Sequence, residues 1–341
     1  MVNRLKNALW LIVGAVAAVW ALTTLVGVVQ GGPMEPPAAP GPTNRMAIYQ
    51  PAPGGFPIVI SQPGSYYLGE NINGEAAKDG IHIRADNVTL DLNGFTLKGA
   101  EGGASFNGIT VPVDPTGIVY NLSIFNGTIR DWGNAGIGAA PPNGYADYSR
   151  LADLSLKGNG GPGVRVGWGS IVSQVTASYN GGPGILAGEG SIVERATVDA
   201  NEGDGIYVSK GTIMDSVSRA NDGAGIILDY GTVTNCTAMY NEGDGIQAAG
   251  VVMGNEAFLN GYDLNDGAGI HVYEASRIEG NDVQLNDRGV DVDGNDNIII
   301  RNSAYNNTTD YDIAAGNTVG QIINMTGGGT ITADPWANFR Y

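Results

Sequence analysis

Residues 201–246 read NEGDGIYVSKGTIMDSVSRANDGAGIILDYGTVTNCTAMYNEGDGI, in which one turn, Asn-acid-Gly-x-Gly-Ile, returns three times at intervals of 20 residues. A fixed period of this size marks a repeat architecture. Aligned on the residue after the second glycine, the apolar positions are Ile81, Ile109, Ile137, Val164, Ile185, Ile206, Ile226, Ile246, Ile270 and Val290, with Ile313 a looser eleventh. Their spacings are 28, 28 and 27 residues, then 21, 21, 20, 20, 24 and 20, so the first units carry longer loops.

Within a unit the residues alternate, as in Ile206-Tyr207-Val208-Ser209 and Ile270-His271-Val272-Tyr273, which is the period of a strand with one inward face. A second short strand precedes each turn, as in SQVTASYN and ERATVDAN. Such a unit cannot enclose a core alone. Stacked units can, because each strand pairs in parallel with its counterpart about 4.8 Å away and the inward residues form apolar columns.

Residues 278–292, IEGNDVQLNDRGVDV, resemble the repeat of right-handed parallel β-helix proteins of the pectin-lyase-like superfold. FPIVISQPGSYYLGENI from Phe56 and DGIHIRADNVTLDLNGFTLKG from Asp79 are similar to the opening coil of many exported bacterial members. The resemblance covers residues 57 to about 330. It implies an all-β, single-stranded right-handed parallel β-helix of about 11–12 coils over residues 58–341. The superfold hosts lyases, hydrolases, epimerases, adhesins and proteins without known activity, so fold alone does not assign function. No Asn-Thr-Asp, Gly-His-Gly and Arg-Ile-Lys set of the polygalacturonases and no Asp-Pro-His of the alginate epimerases stands in the chain, nor does a lyase stretch. No catalytic residue is therefore carried over.

Ahead of the repeats, Arg4 and Lys6 precede an uncharged apolar run from Ala8 to Val29. The run is long enough to span a bilayer as one apolar helix, and its positive flank would stay inside. Residues 1–30 are thus expected to be a signal peptide or membrane anchor, cleaved or retained, and to place the rest at the cell surface or outside the cell. Residues 31–57 hold eight prolines and are expected to form an extended linker.

The 341 residues carry a formal charge of -17, and the part after residue 30 has 15 basic against 34 acidic groups, or -19. Nucleic acid is excluded as a partner. A polyuronate would be repelled unless a cation bridged the two surfaces. Cys236 is the single cysteine and falls beside Val175, Ala196 and Ser216 in neighbouring units, which makes it a small core residue rather than half of a disulfide.

An Asn column, Asn159, Asn180, Asn201, Asn221, Asn241, Asn265, Asn286 and Asn306, is expected to supply left-handed turn residues and amides that hydrogen-bond along the axis. The acids after it, Glu202, Asp222, Glu242, Asp266 and Asp287, are harder to stack. Like charges about 5 Å apart repel by roughly 1–3 kcal/mol at a surface. They are either a solvated corner or ligands for Ca2+, with catalysis a third reading. On the outward face of the strand after the turn, His271, Tyr273, Asp291 and Asp293 form a two-by-two patch on adjacent coils. Two aspartates at i and i+2, about 6–7 Å apart, suit a general acid and base acting on a glycosidic bond, with His271 as proton carrier. The four-residue insertion at Gly261–Leu264 falls beside this patch. His82 and Arg84 on an earlier coil read as a solvated face. Leu186, Tyr207 and Ile227 form a short stripe suited to stacking sugar rings or to cover by a loop.

Two functions follow: a cell-surface structural or glycan-binding module, or a polysaccharide lyase or glycoside hydrolase centred on the His271 patch.

Overall fold

The computed structural model describes residues 45–341, apart from 101, 103–104, 113–116, 140–144, 262–266 and 329–333. The expected N-terminal helix, the linker as far as residue 44, and Asp266 lie outside the described residues.

The described strands pair in parallel, each with its counterpart one unit away in sequence. One column of inward residues runs through Ile58, Ile81, Ile109, Ile137, Val164, Ile185, Ile206, Ile226, Ile246, Ile270, Val290 and Tyr311. That makes 12 rungs, within the number expected from spacing. The last rung is Tyr311, whereas the sequence alignment pointed to Ile313, which pairs instead with Val292. Tyr311 is half-buried, and its hydroxyl donates to the carbonyls of Asn302 (3.0 Å) and Phe339 (2.9 Å), closing the last coil. The repeat also starts before residue 58: Arg45–Ile48, within the stretch expected to be linker, pairs with Ser65–Leu68, and Arg45 reaches Asp91 at 2.7 Å. At the other end Asn338–Arg340 enters the sheet between Ser303–Tyr305 and Ile322–Asn324.

The interior is aliphatic. Ile81, Val164, Ile206, Ile226, Ile246 and Ile270 are fully buried, and Cys236 is buried among them, its thiol pushed up to about 11 chiefly by loss of solvent.

Polar order is confined to the corners. The side-chain ladder runs Asn159–Asn180–Asn201–Asn221–Asn241–Asn260–Asn286–Asn307, each Nδ2 donating to the next Oδ1 at 2.9–3.1 Å. Asn260 stands in the ladder between Asn241 and Asn286, the expected Asn265 lies outside the described residues, and Asn307 takes the place expected of Asn306. The ladder keeps its register with the strand before the turn, and the insertion falls after it. The left-handed backbone is also one residue earlier than expected. Tyr179, Ala200, Ala220, Tyr240, Leu259, Leu285 and Asn306 have φ of 51–57°, and the ladder asparagines follow them. The Asn side chain is thus needed for its paired donor and acceptor, since Ala and Tyr serve at the left-handed position. A second ladder, Asn255–Asn281–Asn302–Asn338, occupies another corner.

Candidate functional site

His271 lies between Gln247 and Asp291 in the register of three adjacent coils, on the outward column the alternation implies. Its Nδ1 contacts Asp244 Oδ2 at 2.9 Å and its Nε2 contacts Asp293 Oδ2 at 3.2 Å. An imidazole bonded at both nitrogens to carboxylates is favoured as the imidazolium. The Asp244 hydrogen bond, opposed by burial, raises His271 to about 9. The Tyr273 ring lies 4.7 Å from the imidazole at a 44° tilt, and its hydroxyl accepts from Gln247 Nε2 at 3.1 Å.

Asp291 departs from the outward expectation in one respect: it is only 2% exposed. Burial raises its pKa, against the pull of Arg288, whose Nη1 stands 2.8 Å away, and of His271. Asp293 is exposed on the same strand's continuation. Among the described residues, His271, Asp291 and Asp293 are the one set of three or more His, Cys, Asp or Glu side chains whose ligand atoms all lie within 4.8 Å. One oxygen of each carboxylate thus lies closer to the other than the 6–7 Å expected for the pair. If a cation binds this protein, its donors are one imidazole and two carboxylates, a set suited to a first-row divalent ion more than to Ca2+. The described acids of the turn row, Glu202, Asp222, Glu242 and Asp287, form no such group.

The sequence puts Asp244, with Asp204, among the acids of the turn, 27 residues before His271, and gives no sign of its contact with the imidazole. Asp244 has two tasks. Oδ1 accepts the Ala268 N–H at 2.7 Å, as Asp204 Oδ1 accepts that of Ala224 at 2.9 Å, and Oδ2 holds His271. The available signal was the alternation Asp204, Ala224, Asp244, Ala268 at one turn position, which keeps like charges two coils apart.

Three coils before His271, Tyr207 donates its hydroxyl to Asp229 at 2.7 Å and is raised to about 12 by burial and that bond. A shallow depression of about 160 Å³ between them is lined by Ile227, Asp229, Gln247, Ala249 and Tyr273. A larger cavity of about 420 Å³, with Arg277, Ile298, Val319 and Trp336 in its wall, contains none of these groups. Asp79 and His82 repeat the acid–imidazole pairing at 2.8 Å on an early coil, so His82 is not the plain solvated side chain expected.

The family profile described as "right handed beta helix region" matches residues 111–260. The fold is a right-handed parallel β-helix. Similar solved structures include the A-module of the mannuronan C-5 epimerase AlgE4 of Azotobacter vinelandii, at 13% identity and TM-score 0.45, covering 86% of this chain and 88% of that one. The Agl-KA catalytic domain is 13% identical with TM-score 0.46, and the alignment covers 81% of this chain but 54% of that domain. Pectate lyase Pel9A is 14% identical with TM-score 0.40, covering 81% of this chain and 71% of that one. A search among curated proteins gave no match. At these identities the likeness concerns the β-helix alone.

The His271 cluster has a consequence for stability. Because its folded-state pKa lies above the value of about 6.5 in an unfolded chain, the stabilisation is complete below pH 6.5 and is lost as the pH rises through about 9. The loss should be on the order of 1–3 kcal/mol after allowing for solvent. The melting midpoint of the wild-type protein should therefore fall between pH 6.5 and 10 more than that of His271→Asn. Parallel curves would show that the pairing contributes nothing.

Proposed function

We propose that the chain is an exported carbohydrate-binding β-helix whose site is the outward face around Tyr273. The observation that carries this reading is the setting of that ring. Tyr273 is 44% exposed, its hydroxyl is fixed by Gln247, its face is flanked by His271, and a depression bordered by Asp229 adjoins it. Sugars present both an apolar ring face and a hydroxyl edge, and an oriented phenol beside carboxylate and amide acceptors meets both. Tyr273→Ala should weaken binding of the best ligand from a panel of soluble oligosaccharides by tenfold or more in calorimetry, with an unchanged melting midpoint. Undiminished affinity in that variant removes the site. The export half of the reading rests on the Ala8–Val29 segment, and protease protection in intact cells would remove it.

One observation favours a second reading, a polysaccharide lyase or glycoside hydrolase. Burial raises the pKa of Asp291, while Asp293, just past the end of the same strand, is exposed, and a buried carboxyl suits the acid and an exposed one the base. In this reading Asp291→Asn abolishes turnover and leaves binding intact.

A further inference from the structure

The corner that ends the His271 strand carries exposed aromatic rings well beyond the patch itself. Tyr148 is 62% exposed, Trp168 58% and Tyr230 59%, with Tyr120 and Tyr273 at the two ends. All lie at the same turn, in five of eight successive coils. Tyr120 pairs with Asp147 in register, the Tyr148 N–H donates to the Trp168 carbonyl at 2.7 Å, and Lys210 pairs with Tyr230. Ser209 and Asp229 then lead to Tyr273, which follows directly on the Ala248–Val272 pair. From Tyr120 to Tyr273 there are about seven inter-coil steps, on the order of 34 Å at about 4.8 Å each.

The rings of Tyr120, Tyr148 and Trp168 are laid down rather than left projecting. Tyr120 and Tyr148 stack with centroids 6.4 Å apart and planes 27° from parallel. The backbone beneath the next rings is bare. A Cβ at Gly169 would come within 2.6 Å of the Tyr148 ring, and one at Gly188 within 2.7 Å of Trp168 Cδ1. The backbone that carries Trp168 is held by its main-chain amide, which donates to Asp147 Oδ1 at 2.9 Å. Between the rings stand polar groups: the Glu189–Lys210 pair at 3.2 Å, the Tyr207–Asp229 bond and Gln247. Apolar faces and hydrogen-bonding edges thus recur together along one line.

We infer that this corner is an extended track for a single chain of neutral sugars lying along the helix axis, an inference that rests on the carbohydrate reading of Tyr273. The occupant is argued from three properties. A protein interface would gather its aromatic anchors into one packed, desolvated patch, whereas these rings are strung over about seven coil steps and separated by charged and amide groups. A polyanion is opposed by Glu189, Asp229 and Asp293 with Lys210 the single lysine among them, on a chain of net charge -17. The repeat of rings by whole coils matches a ligand that also repeats, with a unit comparable in length to one coil.

The test uses neutral cello-, manno-, xylo- and chito-oligosaccharides of two to eight units, with oligogalacturonates as the anionic comparison, on the intact chain. Affinity for one neutral series should rise steeply from dimer to hexamer and exceed that for the oligogalacturonates. Hexamer should change the fluorescence of Trp168, and Trp168→Ala should weaken hexamer about tenfold while leaving dimer bound at Tyr273 unaffected. Length-independent binding that is lost in Tyr273→Ala but not in Trp168→Ala overturns the track and keeps the local site. Tighter binding of oligogalacturonates overturns the neutral class, and no binding by any series overturns both readings.

Discussion

Asn241→Ala should lower the stability of the β-helix by roughly 3–5 kcal/mol, read as a drop in the urea and thermal midpoints. Asn241 is fully buried. Its Oδ1 accepts from both the backbone N–H and the Nδ2 of Asn221, at 3.2 and 2.9 Å, and its Nδ2 donates to the Ser218 carbonyl at 3.2 Å and to Asn260 Oδ1 at 2.9 Å. Alanine removes all four contacts and leaves partners that cannot reach water. Each buried polar group left without a partner costs about 1–3 kcal/mol. Some are rescued, since Asn221 Nδ2 still reaches Ser218 Oγ at 3.0 Å and Asn260 Oδ1 still accepts the N–H of residue 241 at 3.2 Å. The backbone N–H of Asn221 is not, while the Ser218 carbonyl keeps its place in the pairing of Val217–Arg219 with Thr237–Met239. Glu202→Gln, at the solvated position beside the same ladder, should shift the midpoint by less than about 0.5 kcal/mol. A loss below 1 kcal/mol for Asn241→Ala would mean that water replaces the ladder without penalty. In a repeat protein the damage should also be local, with amide exchange accelerated first in the coils of Asn221 and Asn260.

The rungs from Ile81 to Val290 were legible in the sequence because their requirement is the same in each of those coils: a β-branched residue facing inward after a glycine. The ladder was legible only in part. Counting back from Gly-Ile places Asn265 in the column, but the amide chain follows the preceding strand, where Thr237–Met239 pairs with Glu256–Phe258, and so it selects Asn260. The second ladder escaped notice because its earlier positions are Ala196, Ser216 and Cys236, and only later does Asn take over at uneven spacing. Among site residues, His271, Tyr273, Asp291 and Asp293 were brought together by strand alternation, which fixes which side chains share a face. Alternation says nothing about diagonal contacts across a turn. Asp244, and with it the charge state of His271, became visible only in three dimensions. The aromatic corner was hidden for a related reason, since turn residues have no period of their own and their alignment depends on loop lengths that differ between coils.

The glycine before each rung residue offers the sharpest separation of two explanations for the same letter. Glycine is commonly required for left-handed backbone, but Gly225 is not among the glycines of positive φ. What it lacks is room. A Cβ there would stand 2.5 Å from Asn241 Nδ2 and 2.7 Å from the Gly245 carbonyl oxygen, one a ladder amide and the other the acceptor for the Ile226 N–H at 2.9 Å. Neither can retreat without breaking the coil-to-coil bond, so Gly225→Ala should cost roughly 3 kcal/mol or more, in the range of overpacked cores. Gly94 is the complementary case, with φ of 76° and nothing within 4 Å of its Cβ position. There alanine meets only the left-handed backbone, at about 1–2 kcal/mol. Thermal midpoints of the two variants decide between space and conformation: a larger loss at Gly94 would show that backbone angle sets the glycines of this fold. The larger loss at Gly225 would show that the distance between coils sets them, which is the same distance that spaces the rings along the proposed sugar track.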